Sequence, residues 1–199
     1  MKTINAAILA IGFVTGSANA TDFSFTGNFA KDNEVQGFNF AVAGPGANVT
    51  LRTWSFAGRT NAAGTEIARG GFDPIVALFN ASTGALIDQN DDSGLVTDPV
   101  SGAAFDSFLM RNLDAGNYTA TLTQFNSFAN GPLLTDGFRG SFYTDFSSRD
   151  SRWALDVLNV NSAVPVALDV PIIPEPESYA LLLAGLGLVG FMARRRGKQ

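Results

Sequence analysis

IVALFNASTGALI, residues 75–87, decides the fold. Its first five residues, Ile75–Phe79, are an unbroken apolar run of the kind expected for a strand buried on both sides. Asn80-Ala81-Ser82-Thr83-Gly84 supplies a tight connection, and Ala85–Ile87 returns as the second arm of a hairpin. Outward from this hairpin, short apolar or alternating runs recur between Gly, Asn and Asp clusters. Phe23–Phe29, Gly37–Val42 and Val49–Phe56 precede it; Ser107–Met110, Tyr118–Phe125, Phe138–Tyr143 and Trp153–Val160 follow it. In the last of these, Ala154, Leu158 and Val160 are expected on one face and Trp153, Leu155 and Val157 on the other. No window of ten residues in this region carries a 3.6-residue period, so helices should be few. Nine short strands in ~150 residues predict an all-β fold, a jelly-roll or Greek-key β-sandwich in which each sheet buries one face on the other. Leu113-Asp114-Ala115-Gly116-Asn117-Tyr118 adds the L-x-x-G-x-Y spacing of a tyrosine corner, which pins a crossing between two sheets.

Composition narrows the chemistry. The chain has 199 residues, 46% hydrophobic and 16% charged, with no cysteine and no histidine. Cys–His catalysis, Ser-His-Asp triads, zinc fingers, haem ligation and disulfide frameworks are therefore excluded. Between Thr21 and Ile173 there are 16 acidic residues against eight basic ones, a formal charge of −8. That charge opposes nucleic acid and anionic lipid, and is compatible with divalent cations or neutral polysaccharide.

Both ends read as addresses. Lys2, the apolar run Ala6–Val14 and the small residues Ala18 and Ala20 stand in the order of a secretory signal peptide (residues 1–20) cut before Thr21. At the other end Pro174-Glu175-Pro176 precedes the apolar stretch 179–193, and Arg194-Arg195-Arg196 follows at once. As a helix, fifteen residues reach only ~22 Å, short of the ~30 Å hydrocarbon core of a bilayer. Such a transmembrane helix would need a thinned membrane, with the arginines on the cytoplasmic side. The expected organisation is a signal peptide over 1–20, a sandwich domain over 21–165, a linker over 166–173 and a terminal signal over 174–197.

The terminal arrangement resembles the PEP-CTERM sorting signal of Gram-negative, exopolysaccharide-producing bacteria. That resemblance implies recognition of Pro174, Glu175 and Pro176 by an exosortase, a membrane cysteine protease, and a transient stay in the inner membrane after passage through the Sec translocon. Within the domain, GGFDPIVALFNASTGALIDQNDD (70–92), DSFL (106–109) and LDAGNYTATL (113–122) resemble the bacterial pre-peptidase C-terminal type of β-sandwich, and more closely a "GFDP" type of secreted PEP-CTERM protein. Membership would imply a jelly-roll-like accessory domain without catalytic activity.

The central acidic loop holds the candidate chemistry. Asp88, Asn90 and Asp92 have the D-x-N-x-D spacing that turns oxygens toward one calcium ion in an EF-hand loop. Ser93 stands where that loop needs glycine and Pro99 where it needs a bidentate glutamate, so any calcium site here is of another kind, completed by Asp91, Asp73 or Asp106. Trp54, Tyr143 and Trp153 are candidate platforms for a sugar ring, against the alternative that they pack in the core. Hydrolysis by two carboxylates is the remaining catalytic route. The expected function is that of an exported, non-enzymatic surface or matrix protein associated with exopolysaccharide or biofilm. A calcium-dependent or carbohydrate-binding module is the alternative.

Overall fold

The computed structural model describes residues 19–141, 145–173 and 182–189. A four-stranded antiparallel sheet has the order β1-β10-β3-β8, with β1 Thr21–Asn28, β3 Ala47–Thr53, β8 Phe108–Leu113 and β10 Arg152–Val160. Facing it, a five-stranded antiparallel sheet has the order β11-β2-β9-β6-β7, with β2 Gln36–Val42, β6 Pro74–Asn80, β7 Leu86–Asn90, β9 Gly116–Gln124 and β11 Ser162–Ala167. The pairs β1 with β10, β2 with β9, β3 with β8, and β6 with β7 are nested in sequence and alternate between the sheets. This is the winding of a jelly roll, to which β11 adds an outer edge.

Period-two patterning builds the core between the sheets. Phe38, Phe40 and Val42 of β2 face Val49 and Leu51 of β3, and Tyr118, Ala120 and Leu122 of β9 join Trp153, Leu155 and Val157 of β10. β6 is buried along Pro74–Phe79, as its apolar run requires. Val76 and Leu78 enter the main core, while Ala77 and Phe79 pack outward on Ala129 and Phe138. Tyr118 Oη donates to Asp114 O at 2.9 Å, closing the tyrosine corner where the chain passes from β8 in one sheet to β9 in the other. The β6–β7 connection is fixed by Asn80, whose side-chain oxygen accepts from the N–H groups of Ser82 and Thr83, and by Gly84 at φ 73°.

Three sequence expectations change. In β10, Val160 joins Trp153, Leu155 and Val157 in the core instead of the opposite face. Asn159 adopts φ 63° and inserts one extra residue against β1, whose register shifts between Thr21 and Phe23, so the alternation is reset. Phe138 forms only isolated bridges, to Ala129 and Ile172, and the described part of Phe138–Tyr143 is not a strand. The stretch expected as a linker, 166–173, completes β11 and then docks: Phe138 N donates to Pro171 O, and Ile173 N to Phe138 O at 2.7 Å. The loop after Trp54 carries a two-stranded hairpin, β4 Arg59–Thr60 and β5 Glu66–Ile67.

Among the described residues no helix is long and apolar enough to cross a membrane. Residues 182–189, inside the expected helix 179–193, are helical. Lys2, Ala6–Val14, Ala18, Tyr143, Pro174, Glu175, Pro176 and Arg194–Arg196 lie outside the described residues.

Candidate functional site

One row of residues crosses the five-stranded sheet near its rim: Ala167, Gln36, Leu122, Val76 and Asn90 stand side by side on β11, β2, β9, β6 and β7. Just beyond this row lie Asp73 ahead of β6, Asp91 and Asp92 after β7, and Gln124 at the end of β9. The Gly-Phe-Asp-Pro stretch explains how Asp73 is placed. A Cβ on Gly71 would sit 2.5 Å from Ser55 O and 2.6 Å from Arg152 O, so only glycine lets the chain pass this close to the segment after β3 and the start of β10. Phe72 is fully buried and packs against Phe29 and Phe146, with ring centroids at 5.3 and 5.5 Å. Pro74, as the first residue of β6, needs no N–H there. Asp73 is thereby left at the mouth of the sheet.

Ser107 locks the opposite side. Its fully buried Oγ lies 2.8 Å from the carbonyl oxygens of Pro74, Asn90 and Asp91, tying the ends of β6 and β7 to the start of β8. Asp73, Asp91 and Asp92 each present one carboxylate oxygen, and these three oxygens lie within 4.8 Å of one another. Asp73 Oδ1 and Asp91 Oδ1 are buried and accept no hydrogen bond. Gln124 is 2% exposed, and its Oε1 is likewise without a donor. Asp73, Asp92 and Gln124 line a cavity of about 500 Å³, walled by aromatic residues that include Phe56 and Phe105.

Electrostatics follow from that crowding. Burial, then the charges of Asp91, Asp92 and Asp106, push the Asp73 carboxyl up to about 8, while Arg149 opposes the shift. Burial and Asp92 push Asp91 up to about 6, and burial raises Asp92. Arg149 lines the same cavity, yet its Nε donates to Gly71 O at 2.6 Å and its guanidinium lies 3.7 Å from the centre of the Phe56 ring. Its charge acts on the carboxylates from a distance.

The other candidate residues are committed elsewhere. Asp88 and Asn90 belong to β7, where alternate residues stand roughly 6.5–7 Å apart and cannot curl round one ion. Asp88 pairs with Arg111, and Asn90 Oδ1 accepts from Phe108 N at 2.9 Å. Asp106 is fully buried and accepts from Thr53 Oγ1 at 2.8 Å, Phe56 N at 3.2 Å and Ala57 N at 2.7 Å. These bonds offset the burial that raises its carboxyl. Trp54 and Trp153 are both 7% exposed, so neither offers a face to a sugar. Trp54 Nε1 donates to Asp156 Oδ2 at 2.8 Å under the Arg52 guanidinium, and Trp153 sits edge-on to Phe38 between the sheets. Sequence reasoning passed over Gln124 and Arg149. Gln124 reaches the site only because it pairs with Pro74 across the sheet, a register that no local pattern announces.

Ala20 is exposed directly ahead of β1, and Ile173 N donates to Phe138 O at the end of the docked described segment. No curated protein matches the chain. Among solved structures it is similar to a protein of Sulfurospirillum deleyianum, with a TM-score of 0.34 and 12% identity over 68% of this chain and 96% of that one. Residues 173–196 match the model of the PEP-CTERM protein-sorting motif. The chain thus carries a PEP-CTERM sorting motif behind an all-β sandwich, and the motif marks it as an exosortase-processed protein exported to the cell surface or beyond.

Proposed function

We propose that the mature protein is a non-enzymatic component of the cell surface or extracellular matrix, associated with exopolysaccharide or biofilm. The observation that carries this reading is the place of the sorting motif. It begins at residue 173, where the chain makes its last described contact with the sandwich through Ile173 N and Phe138 O. Processing beyond that point leaves every described strand in position. Removal of a signal peptide before Thr21 does the same at the other end, because β1 begins there.

The commitments of the buried carboxylates support a structural role. Asp98 accepts both arms of the Arg69 guanidinium at 2.9 and 2.6 Å. Asp156 gathers Ser24, Arg52 and Trp54, and Asp106 gathers the backbone after β3. Each of these acids holds two or more segments of chain together.

Fractionation of the producing cells, with mass spectrometry of the mature C-terminus and pull-down on the strain's own exopolysaccharide, tests the reading. The expected product lacks the residues of the sorting signal and co-sediments with the polymer. Recovery with the signal intact and no affinity for the polymer would refute it. So would polysaccharide hydrolysis that disappears in Asp73→Asn.

A further inference from the structure

We infer that Asp73, Asp91 and Asp92, together with the amide oxygen of Gln124, form a divalent-cation site matched to calcium. This goes beyond the matrix reading and stands without it, since it rests on the cluster and on the unpartnered buried oxygen of Gln124 beside it.

Three independent features meet at this rim. First, the three carboxylate oxygens lie within 4.8 Å of one another. Oxygens on opposite sides of a bound calcium stand roughly 4.6–5.2 Å apart, so three oxygens no farther apart than 4.8 Å can share one such ion. Second, Gln124 is a neutral side chain with no reason of its own to be buried without a donor. Its Oε1 is buried, receives no hydrogen bond, and belongs to a side chain lining the cavity that Asp73 and Asp92 also line. An unpaired buried amide oxygen costs ~1–3 kcal/mol unless something electropositive meets it. Third, Asp73 Oδ1 and Asp91 Oδ1 share that condition. Three acceptors without donors, beside a third acid, define a place for a cation rather than for another hydrogen-bonded network.

The donor set decides the class of ion. Every ligand atom is oxygen, and the chain has neither cysteine nor histidine, which suits a hard cation rather than zinc or copper. Carboxylates that bind through both oxygens, with water from the cavity, complete the six to eight ligands calcium takes. The bound ion would join the start of β6 to the ends of β7 and β9. Burial and mutual repulsion disfavour charge on these carboxylates, and a bound cation relieves both.

The test uses the full chain, stripped with EDTA and titrated with calcium chloride by calorimetry and by thermal melting. The expected result is one calcium per chain with a Kd of roughly 0.1–1 mM, as in extracellular modules. At 10 mM calcium the melting temperature should rise by roughly 3–10 °C. Magnesium at the same concentration should give less than half that rise. Asp73→Asn folds without calcium, because it removes a buried charge, and should bind at least tenfold more weakly. Gln124→Met tests the amide oxygen with the volume conserved and should weaken binding by roughly threefold or more. Asp88→Asn should bind as the wild type does. No heat and no shift up to 10 mM calcium overturns the inference, as does an undiminished response in Asp73→Asn or an equal response to magnesium. A matrix protein without calcium affinity, or a calcium-binding protein without polysaccharide affinity, would separate this inference from the matrix reading.

Discussion

Replacing Asp106 by alanine measures how much of the fold hangs on one buried carboxylate. Asp106 is fully buried and accepts from the backbone N–H groups of Phe56 and Ala57 and from the hydroxyl of Thr53. Alanine leaves two N–H groups and a hydroxyl facing a void. Each orphaned donor costs ~1–3 kcal/mol, so three give roughly 3–9 kcal/mol before any relaxation. Against that, the substitution removes a charge that burial disfavours, as the upward push on this carboxyl shows. The net loss should be of the order of 2–4 kcal/mol, or roughly 5–15 °C in melting temperature for a domain of this size. Urea unfolding followed by tryptophan fluorescence reads it well, because Trp54 lies in the neighbouring cluster with Ala57. Asp88→Ala is the internal comparison. Its pair with Arg111 is half-exposed on the arginine side, and exposed pairs are worth under ~1 kcal/mol. Should Asp106→Ala unfold within 0.5 kcal/mol of the wild type, or Asp88→Ala cost the more of the two, the division of these acids into structural and surface groups is wrong.

Further outcomes follow from the same geometry. In EDTA, stability should fall as pH rises from about 4 to about 8: the unfolded chain ionises Asp73 near its ordinary value, while the folded chain holds the proton up to about 8. The loss should be of the order of 2–4 kcal/mol after allowance for the partial exposure of this side chain. Urea midpoints at pH 5.5 and 8.5 check it, and Asp73→Asn should remove most of the slope. Asp98 and Asp150, held low by Arg69 and Arg152, titrate below this window, whereas Asp91, pushed up to about 6, adds a smaller fall within it. Gly71→Ala should cost ~3 kcal/mol or prevent folding, since the new Cβ meets two backbone oxygens, whereas Gly94→Ala at φ 73° in open space should cost only ~1–2 kcal/mol. Tyr118→Phe should lose ~1 kcal/mol with the bond to Asp114 O, measured by urea denaturation, and leave any calcium response unchanged.

Legibility in the sequence tracked locality. The β6–β7 hairpin and the tyrosine corner could be read because the residues that make them lie within a dozen positions: Asn80 and Gly84 in one, Asp114 and Tyr118 in the other. β11 escaped because Ser162–Ala167 contains Pro165 and is largely exposed; it is stable only as an edge along β2. Phe138 reads as a strand residue because it is large and apolar, but its burial is against Phe79 on the outer face of the sheet. Within the acidic stretch the backbone sorts the side chains in a way that spacing alone does not announce. Asp73, Asp91 and Asp92 converge, whereas Asp88 and Asn90 do not, because β7 continues through Asn90 and extended backbone separates alternate side chains.

What distinguishes the acids of this domain is how many donors each one meets. Asp98, Asp106 and Asp156 are buried among N–H, hydroxyl and guanidinium groups, so their charge is met by the protein itself. Asp73 and Asp91 are buried beside other acceptors, and Arg149, the one cation among the described residues lining the cavity, spends its Nε on Gly71 O and its face on Phe56. Burying an oxygen without a donor is unfavourable, and burying several together compounds the penalty through repulsion. Only two species small enough for that rim can remove both terms, a proton or a metal ion. Near neutral pH one proton satisfies Asp73 while Asp91, pushed up only to about 6, stays largely ionised, so protons alone leave the cluster charged. A doubly charged ion meets all three carboxylates and the Gln124 oxygen at once, and for that reason the placement of these four side chains is read as a binding site rather than as a defect in packing.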